Sequence, residues 1–284
     1  MHVELLSESR RDEALAFLRD RRETSLYLLN NLAEYGPVLT EQLNSGNFKV
    51  VVDGDRVVAV FVLARRGNLL AQTDRAAELA GLILAACESE PIALQGFVGN
   101  WTVADPLHQA YRARRPHFDT TFNARDILFR RPVEAVTTPG DTAVRPLRAD
   151  DFEAWDPLQR AFLEQEGIPV QGTEAQRRAQ FGVQTARGHW WGYFAAGELV
   201  STVALNACVE GVGQVGGVYT PPEHRRRGYS RAVMQRLFAD AAGPLGLHTL
   251  ILFTGEGNVE AQRMYEQLGF ERIGHFGLIF GQTP

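Results

Sequence analysis

Three consecutive arginines, Arg225, Arg226 and Arg227, stand in the stretch "PPEHRRRGYSRAVM", after two prolines and before a segment with helical spacing. Pro221 and Pro222 stop the preceding strand, Gly228 lets the backbone come close to a ligand, and the helix that follows points its unpaired N–H groups back into the loop. A helix start carries about half a positive elementary charge, so cationic side chains there are unfavourable unless an anion is bound. Successive amides of such a turn can surround a phosphate, with the arginines as supplements. On these residues alone two other readings stay open: a solvated charge cluster on a surface helix, and a nucleic-acid patch.

The chain as a whole disfavours the last of these. Its 284 residues carry a formal net charge of -5, whereas nucleic-acid binding draws on lysines and arginines that neutralise phosphates. No aromatics interleave with the run. With 45% hydrophobic and 22% charged residues the sequence has apolar material for two globular domains. No apolar run reaches the roughly 18 residues of a membrane helix, and the start "MHVELLSESRRDEAL" lacks the order of a signal peptide. The expectation is a cytoplasmic protein with neither membrane nor nucleic acid as partner. Cys87 and Cys208, each in an apolar stretch, are too few for a disulfide framework or a Cys/His metal site, so no metal is expected.

The elements that would hold the loop occur twice. "SGNFKVVVDGDRVVAVFVLAR" from Ser45 and "RGHWWGYFAAGELVSTVALNA" from Arg187 both read as strand, tight turn, strand, with Gly54 and Gly197 as matching turn glycines. Upstream of each, at Val3 and Val144, a short extended start leads into an amphipathic helix. A tandem duplication is the economical reading, with Arg131–Ala143 ("RPVEAVTTPGDTA") as linker and domains over 1–133 and 143–284. Each half is expected to be α+β (mixed α/β), a mostly antiparallel twisted sheet flanked by helices. The helix from Arg75 lines up with the one from Arg231 only if the second half carries about 13 additional residues, expected to be the arginine loop itself.

Taken together, these motifs resemble the GCN5-related N-acetyltransferase (GNAT) superfamily. "VYTPPEHRRRGYSRAVM" is similar to its acyl-CoA loop, R/Q-x-x-G-x-G/A, on Arg225, Arg226, Arg227, Gly228, Tyr229 and Ser230, and "NVEAQRMYEQLGF" is similar to its second motif, on Asn258, Ala261, Tyr265, Gly269 and Phe270. The resemblance spans roughly 144–280, and its wording is nearest the glycine N-acyltransferase-like branch. Ser230 departs from the pattern, where glycine or alanine is usual; a slightly crowded cradle is expected. The first half keeps Asn100 as an echo of Asn258 but lacks the loop, and Tyr111 falls at a different spacing from Tyr265. It reads as a degenerate copy without cofactor.

The resemblance implies that acetyl-CoA, or another acyl-CoA, sets its diphosphate on the amides of Arg226 to Arg231, with Arg225 or Arg227 as countercharge. It places the pantetheine arm along Val218, Tyr219 and Thr220, where Gly216 and Gly217 read either as a bulge or as thin points of a packed strand. Helical spacing puts Asn258, Ala261 and Tyr265 on one face, and Tyr265 is the expected proton donor to the departing thiolate. The base is not assigned: Gln214 stands where many relatives carry a carboxylate, and Glu164, Glu166 and His189 are candidates. The implied activity is acyl transfer from coenzyme A to a small-molecule or protein amine, the alternative being a non-catalytic acyl-CoA-binding or sensing module.

Overall fold

The computed structural model describes residues 1–134, 141–168, 170 and 172–282. They form two compact units. The expected linker is described only at its ends, because residues 135–140 lie outside the described residues, as do 169 and 171 of the segment following Glu164.

In the first unit β1 (His2–Leu5) leads into α1 (Glu8–Arg19) and α2 (Arg22–Tyr35). There follow β2 (Lys49–Asp53), β3 (Arg56–Leu63), β4 (Asn68–Thr73), α3 (Ala76–Glu88), β5 (Gly96–Asn100), α4 (Trp101–Arg114) and β6 (Asp119–Pro132). β1 to β4 pair antiparallel in sequence order, and β5 joins β4 in parallel through the crossover helix α3, as a parallel pair requires. Helical spacing of Leu79, Ile83 and Leu84 gives α3 an apolar face, which is buried in one core with Phe61, Leu69 and Phe97 of the sheet.

The second unit repeats this order. β7 (Val144–Pro146), α5 (Phe152–Gln165) and α6 (Glu174–Ala186) precede β8 (Trp190–Ala195), β9 (Glu198–Val209) and β10 (Val212–Tyr219). α7 (Tyr229–Ala242), β11 (Thr249–Gly255) and α8 (Val259–Gln267) complete it. β7 to β10 are antiparallel neighbours and β11 runs parallel to β10. The protein is thus mixed α/β, and within each unit the strands are mostly antiparallel and flanked by helices. α6 opens with a capping box, Thr173 and Gln176 each accepting from the other's backbone N–H. The aromatic faces of α5 and α6 close on Trp190 through Phe152, Trp155 and Phe181, with the Trp155 and Phe181 rings stacked at 4.3 Å. Arg177 holds Asp156 bidentately at 2.7 and 2.9 Å and so fastens α6 to α5.

Three details differ from the sequence reading. First, β12 (Glu271–Gln282), expected to close the second half, pairs antiparallel with β5, from Phe276 opposite Asn100 to Phe280 opposite Gly96. Conversely the end of β6 belongs to the second unit, where Val133 N–H donates to His248 O at 2.9 Å. There Arg131 donates to Leu268 O at 2.8 Å and lies 4.1 Å over the Phe238 ring. The residue pattern of a strand sets which face it buries and not which neighbour it pairs with. Second, Gly54 is the first residue of its turn, between Asp53 and Arg56, whereas Gly197 is the second of its own, between Ala195 and Glu198. Ala196 and Gly197 both take positive φ, 50° and 87°. The two glycines hold neighbouring turn positions rather than matching ones. Third, the additional length of the second half is divided. Residues 74–75 join β4 to α3 while 220–228 join β10 to α7, and β9 and β10 have 12 and 8 residues against 8 and 6 in β3 and β4.

Candidate active site

β10 is broken where the sequence reading set the ligand. Its parallel register with β11 runs only from Val212 to Gln214. On the other side Gly216 opposes Ala204 and the next pair is Tyr219 with Thr202, so Gly217 and Val218 are skipped as a bulge. Gly217 is required, and a side chain at Gly216 would displace the exposed Asn206 side chain. Gly217 has φ +57°, and a Cβ there would meet the Trp190 ring at 2.7 Å; one on Gly216 would meet Asn206 Nδ2 at 2.1 Å. The carbonyl turned out by the bulge is satisfied by the Thr202 hydroxyl, which donates to Gly217 O at 3.1 Å.

The loop after β10 presents backbone donors. Arg226 takes φ +61° and Gly228 φ +84°, and α7 starts on the left-handed Gly228 with no side chain capping it. The first helical bond is Ala232 N–H to Gly228 O at 3.0 Å. Among the described residues the backbone N–H groups of Arg226, Arg227, Gly228, Tyr229, Ser230 and Arg231 have no acceptor. Six donors at the positive end of a helix are able to hold an anion. A Cβ on Gly228 would meet nothing within 4 Å, so the space beside it is open.

The side chains of the loop divide into braces and supplements. Arg225 Nε donates to Thr220 O at 3.0 Å and its Nη2 to Gln165 Oε1 at 2.5 Å, tying the loop to the ends of β10 and α5. This fixes the Thr220 carbonyl on Arg225. Arg226 and Arg227 have no side-chain partner among the described residues and are exposed. Tyr229 packs its ring on Tyr193 at 4.4 Å, leaving its N–H to the loop. Arg231 donates to Gln267 Oε1 at 2.6 Å and connects the start of α7 with the end of α8. Ser230 does not crowd the cradle: its hydroxyl is turned onto Thr220 Oγ1 at 2.7 Å, and Thr220 in turn meets Ser201 Oγ at 2.8 Å. Ser201 was not foreseen. Nothing in its strand context distinguishes it.

Tyr265 is buried on α8, its ring edge-on to Phe270 at 6.0 Å. Burial pushes its phenol above the ordinary range, and the Glu166 carboxylate adds to the shift. At the end of β10, Tyr219 packs against Phe162 of α5 at 6.0 Å, and burial raises its phenol too. Gln214 is buried, its amide donating to Val215 O at 2.6 Å, and supplies no base. Asn258 caps α8, its Oδ1 accepting from Ala261 N–H at 3.2 Å, and Asn100 caps α4 through Thr102 N–H in the same way. Asn258 and Ala261 cluster with the first unit, whereas Tyr265, the arginine loop and Val218 to Thr220 belong to the second.

The corresponding place in the first unit is built differently. α3 starts directly after Asp74 and Arg75. Arg75 is held by Asp53 at 2.8 Å and by Glu78, and Asp74 by Arg21.

Residues 151–270, which include the loop, α7 and α8, match the model of the acetyltransferase (GNAT) family. No curated protein sequence matches the chain. Several solved structures share its fold along nearly the whole length. A Drosophila protein is 16% identical, with 99% of this chain and 98% of that one covered at a TM-score of 0.67. A GCN5-related N-acetyltransferase from Sphaerobacter thermophilus is 13% identical over 99% and 96%, at 0.61. Another from Kribbella flavida is 18% identical over 93% and 95%, at 0.57. At these identities the likeness is one of fold, and it includes both halves.

Proposed function

We propose that the protein is an N-acyltransferase that moves an acetyl or other short acyl group from acyl-coenzyme A to an amine, by direct attack in a ternary complex. The observation that carries this reading is the row of six unpaired amides from Arg226 to Arg231 at the start of α7, inside the segment that matches the acetyltransferase family. The diphosphate lies on those amides with Arg226 and Arg227 as countercharge, and the pantetheine arm runs along the bulged end of β10 at Val218, Tyr219 and Thr220. The amine lone pair forms the C–N bond, the C–S bond breaks, and Tyr265 donates its proton to the thiolate. A raised pKa keeps that proton on Tyr265 through the neutral range. The amine proton leaves through water or a remote group. Of the three base candidates, Glu166 is the one whose charge is felt at the Tyr265 phenol.

The first unit is proposed to be a copy without coenzyme, because only residues 74–75 join β4 to α3, with Asp74 held by Arg21 and Arg75 by Asp53 and Glu78. Asn258 and Ala261 are proposed to contribute by shaping the start of α8. The acceptor is an amine of a small molecule or of a protein. A panel of such amines, incubated with acetyl-CoA and followed by release of free thiol, tests the reading; acylation of none would leave the binding-module reading in its place.

The braces and the supplements are distinguishable. Arg225→Ala removes two hydrogen bonds that shape the loop, so coenzyme A affinity is expected to fall about 10-fold. Arg226→Ala removes an exposed, salt-screened charge and is expected to cost about 3-fold or less. Isothermal titration at two salt concentrations checks both values, with the Arg226 effect shrinking at high salt.

A further inference from the structure

We infer that Lys49 is a fold-gated acylation site, closed to activated acyl donors such as thioesters while Glu90 holds it and open only when that pairing is broken. That the donor met by the protein is an acyl-coenzyme A rests on the function proposed above; the gate itself does not. Of the 29 lysines and arginines in the chain, Lys49 alone is a lysine. A guanidinium keeps its proton in proteins and so offers a donor no lone pair. Lys49 is therefore the one side-chain amine that a donor could acylate.

Its surroundings close it. The Lys49 backbone is paired on both sides, opposite Leu5 of β1 and Phe61 of β3. Its side chain is 10% exposed and Nζ donates to Glu90 Oε1, on a carboxylate whose side chain is 6% exposed. Asn47 donates to the other oxygen, Glu90 Oε2, at 3.2 Å, and the Glu90 N–H bonds Cys87 O at 3.0 Å, so the carboxylate is fixed between β2 and the end of α3. Acylation by a thioester requires Nζ to give a proton to water and form the C–N bond as the C–S bond breaks and the thiolate leaves. None of this is open to a nitrogen that is held on Glu90 and out of solvent. The product is an uncharged amide, which leaves the Glu90 carboxylate buried without its countercharge, and loss of one partner of a buried pair is strongly destabilising. Acylation and closure thus exclude each other, and an acylated Lys49 marks a chain whose first unit has opened. The two thiols are withheld as well: burial pushes both Cys87 and Cys208 up to about 12, and the thiolate is the nucleophile.

The test is timed labelling of the full-length protein with N-hydroxysuccinimidyl acetate, read peptide by peptide by mass spectrometry. Arg56→Lys supplies a reference amine at an exposed position at the start of β3. In the folded protein Lys49 is expected to react more than about 100-fold more slowly than the reference, because it reacts only through the opened population. Urea should raise the Lys49 rate as the first unit unfolds, until it equals that of the reference. Glu90→Gln keeps the shape and removes the countercharge, and should raise the rate in the folded protein by at least about 10-fold; should this variant fail to fold, the urea series on the Arg56→Lys protein decides alone. Equal rates at the two lysines in the folded protein overturn the gate, as does an unchanged Lys49 rate in folded Glu90→Gln, or a Lys49 that stays unlabelled in urea while the reference is labelled. Acetyl-CoA in place of the ester should leave Lys49 unmodified in the folded protein; acylation of Lys49 ahead of the reference would overturn the gate and make Lys49 an acceptor of the bound donor. The ester needs no coenzyme site, so the gate is judged apart from the amine panel, and failure of that panel leaves it standing.

Discussion

Gly228→Asp is expected to abolish coenzyme A binding while the protein stays folded. Gly228 has φ +84° and ψ 0°, and a side chain there would touch nothing within 4 Å, so the substitution creates no clash. The backbone cost is that of one left-handed residue, about 1 kcal/mol, and aspartate and asparagine tolerate this conformation better than most. The electrostatic cost falls on the bound state alone. A carboxylate about 4 Å from a phosphate charge is opposed by roughly 4 kcal/mol at an effective dielectric near 20, so affinity should drop by more than about 100-fold. Gly228→Asn has the same backbone demand without the charge and should bind within about 10-fold of the wild type. Near-equal affinities for the Asp and Asn proteins, with native circular dichroism, would show that no anion sits on these amides.

Tyr265→Phe is expected to keep acetyl-CoA binding and to slow acyl transfer by about 10² to 10⁴, or roughly 3 to 5.5 kcal/mol of barrier. The ring is buried against Phe270, and phenylalanine preserves that packing while removing only the hydroxyl. Single-turnover rates with a confirmed acceptor isolate the chemical step from product release. The pH dependence carries a second signature. Burial disfavours the phenolate and raises the pKa above the ordinary value of about 10, so the donor form persists as pH rises through the neutral and mildly alkaline range. The wild-type chemical rate should show no fall assignable to Tyr265 below about pH 10. Equal chemical rates for wild type and Tyr265→Phe would make Tyr265 a packing residue.

Much of this site was legible because its determinants are local. Two prolines, a glycine and a helical pattern within one short stretch specify the loop and the direction of the amides, and of the two readings open for Gly216 and Gly217, a bulge or thin points of a packed strand, the register of β10 displays the bulge. What escaped depends on pairing over long sequence separations. β12 reads as the final strand of the second half, yet nothing in its alternation says that its edge meets Gly96 to Asn100 rather than a strand of its own half. The additional length before α7 was assigned wholly to the loop, because a lengthened hairpin and a lengthened loop look alike in an alignment of two halves. Ser230 was judged by size. Its hydroxyl partner Thr220 was already in view, but the buried Ser201 that Thr220 meets in turn lies on the neighbouring strand, and only the register of β9 against β10 brings it there. Asn258 illustrates a residue legible in type and ambiguous in role, since an asparagine before a helix is first of all a cap.

The central claim is that one anion cradle, in the second unit, holds coenzyme A. Isothermal titration of the intact protein with coenzyme A tests it most directly. One site per chain is predicted, lost in Gly228→Asp and retained when Asp74 and Arg75 at the start of α3 are replaced by alanine. Two equivalent sites, or a single site that survives Gly228→Asp and disappears with the Asp74 and Arg75 substitutions, would contradict it.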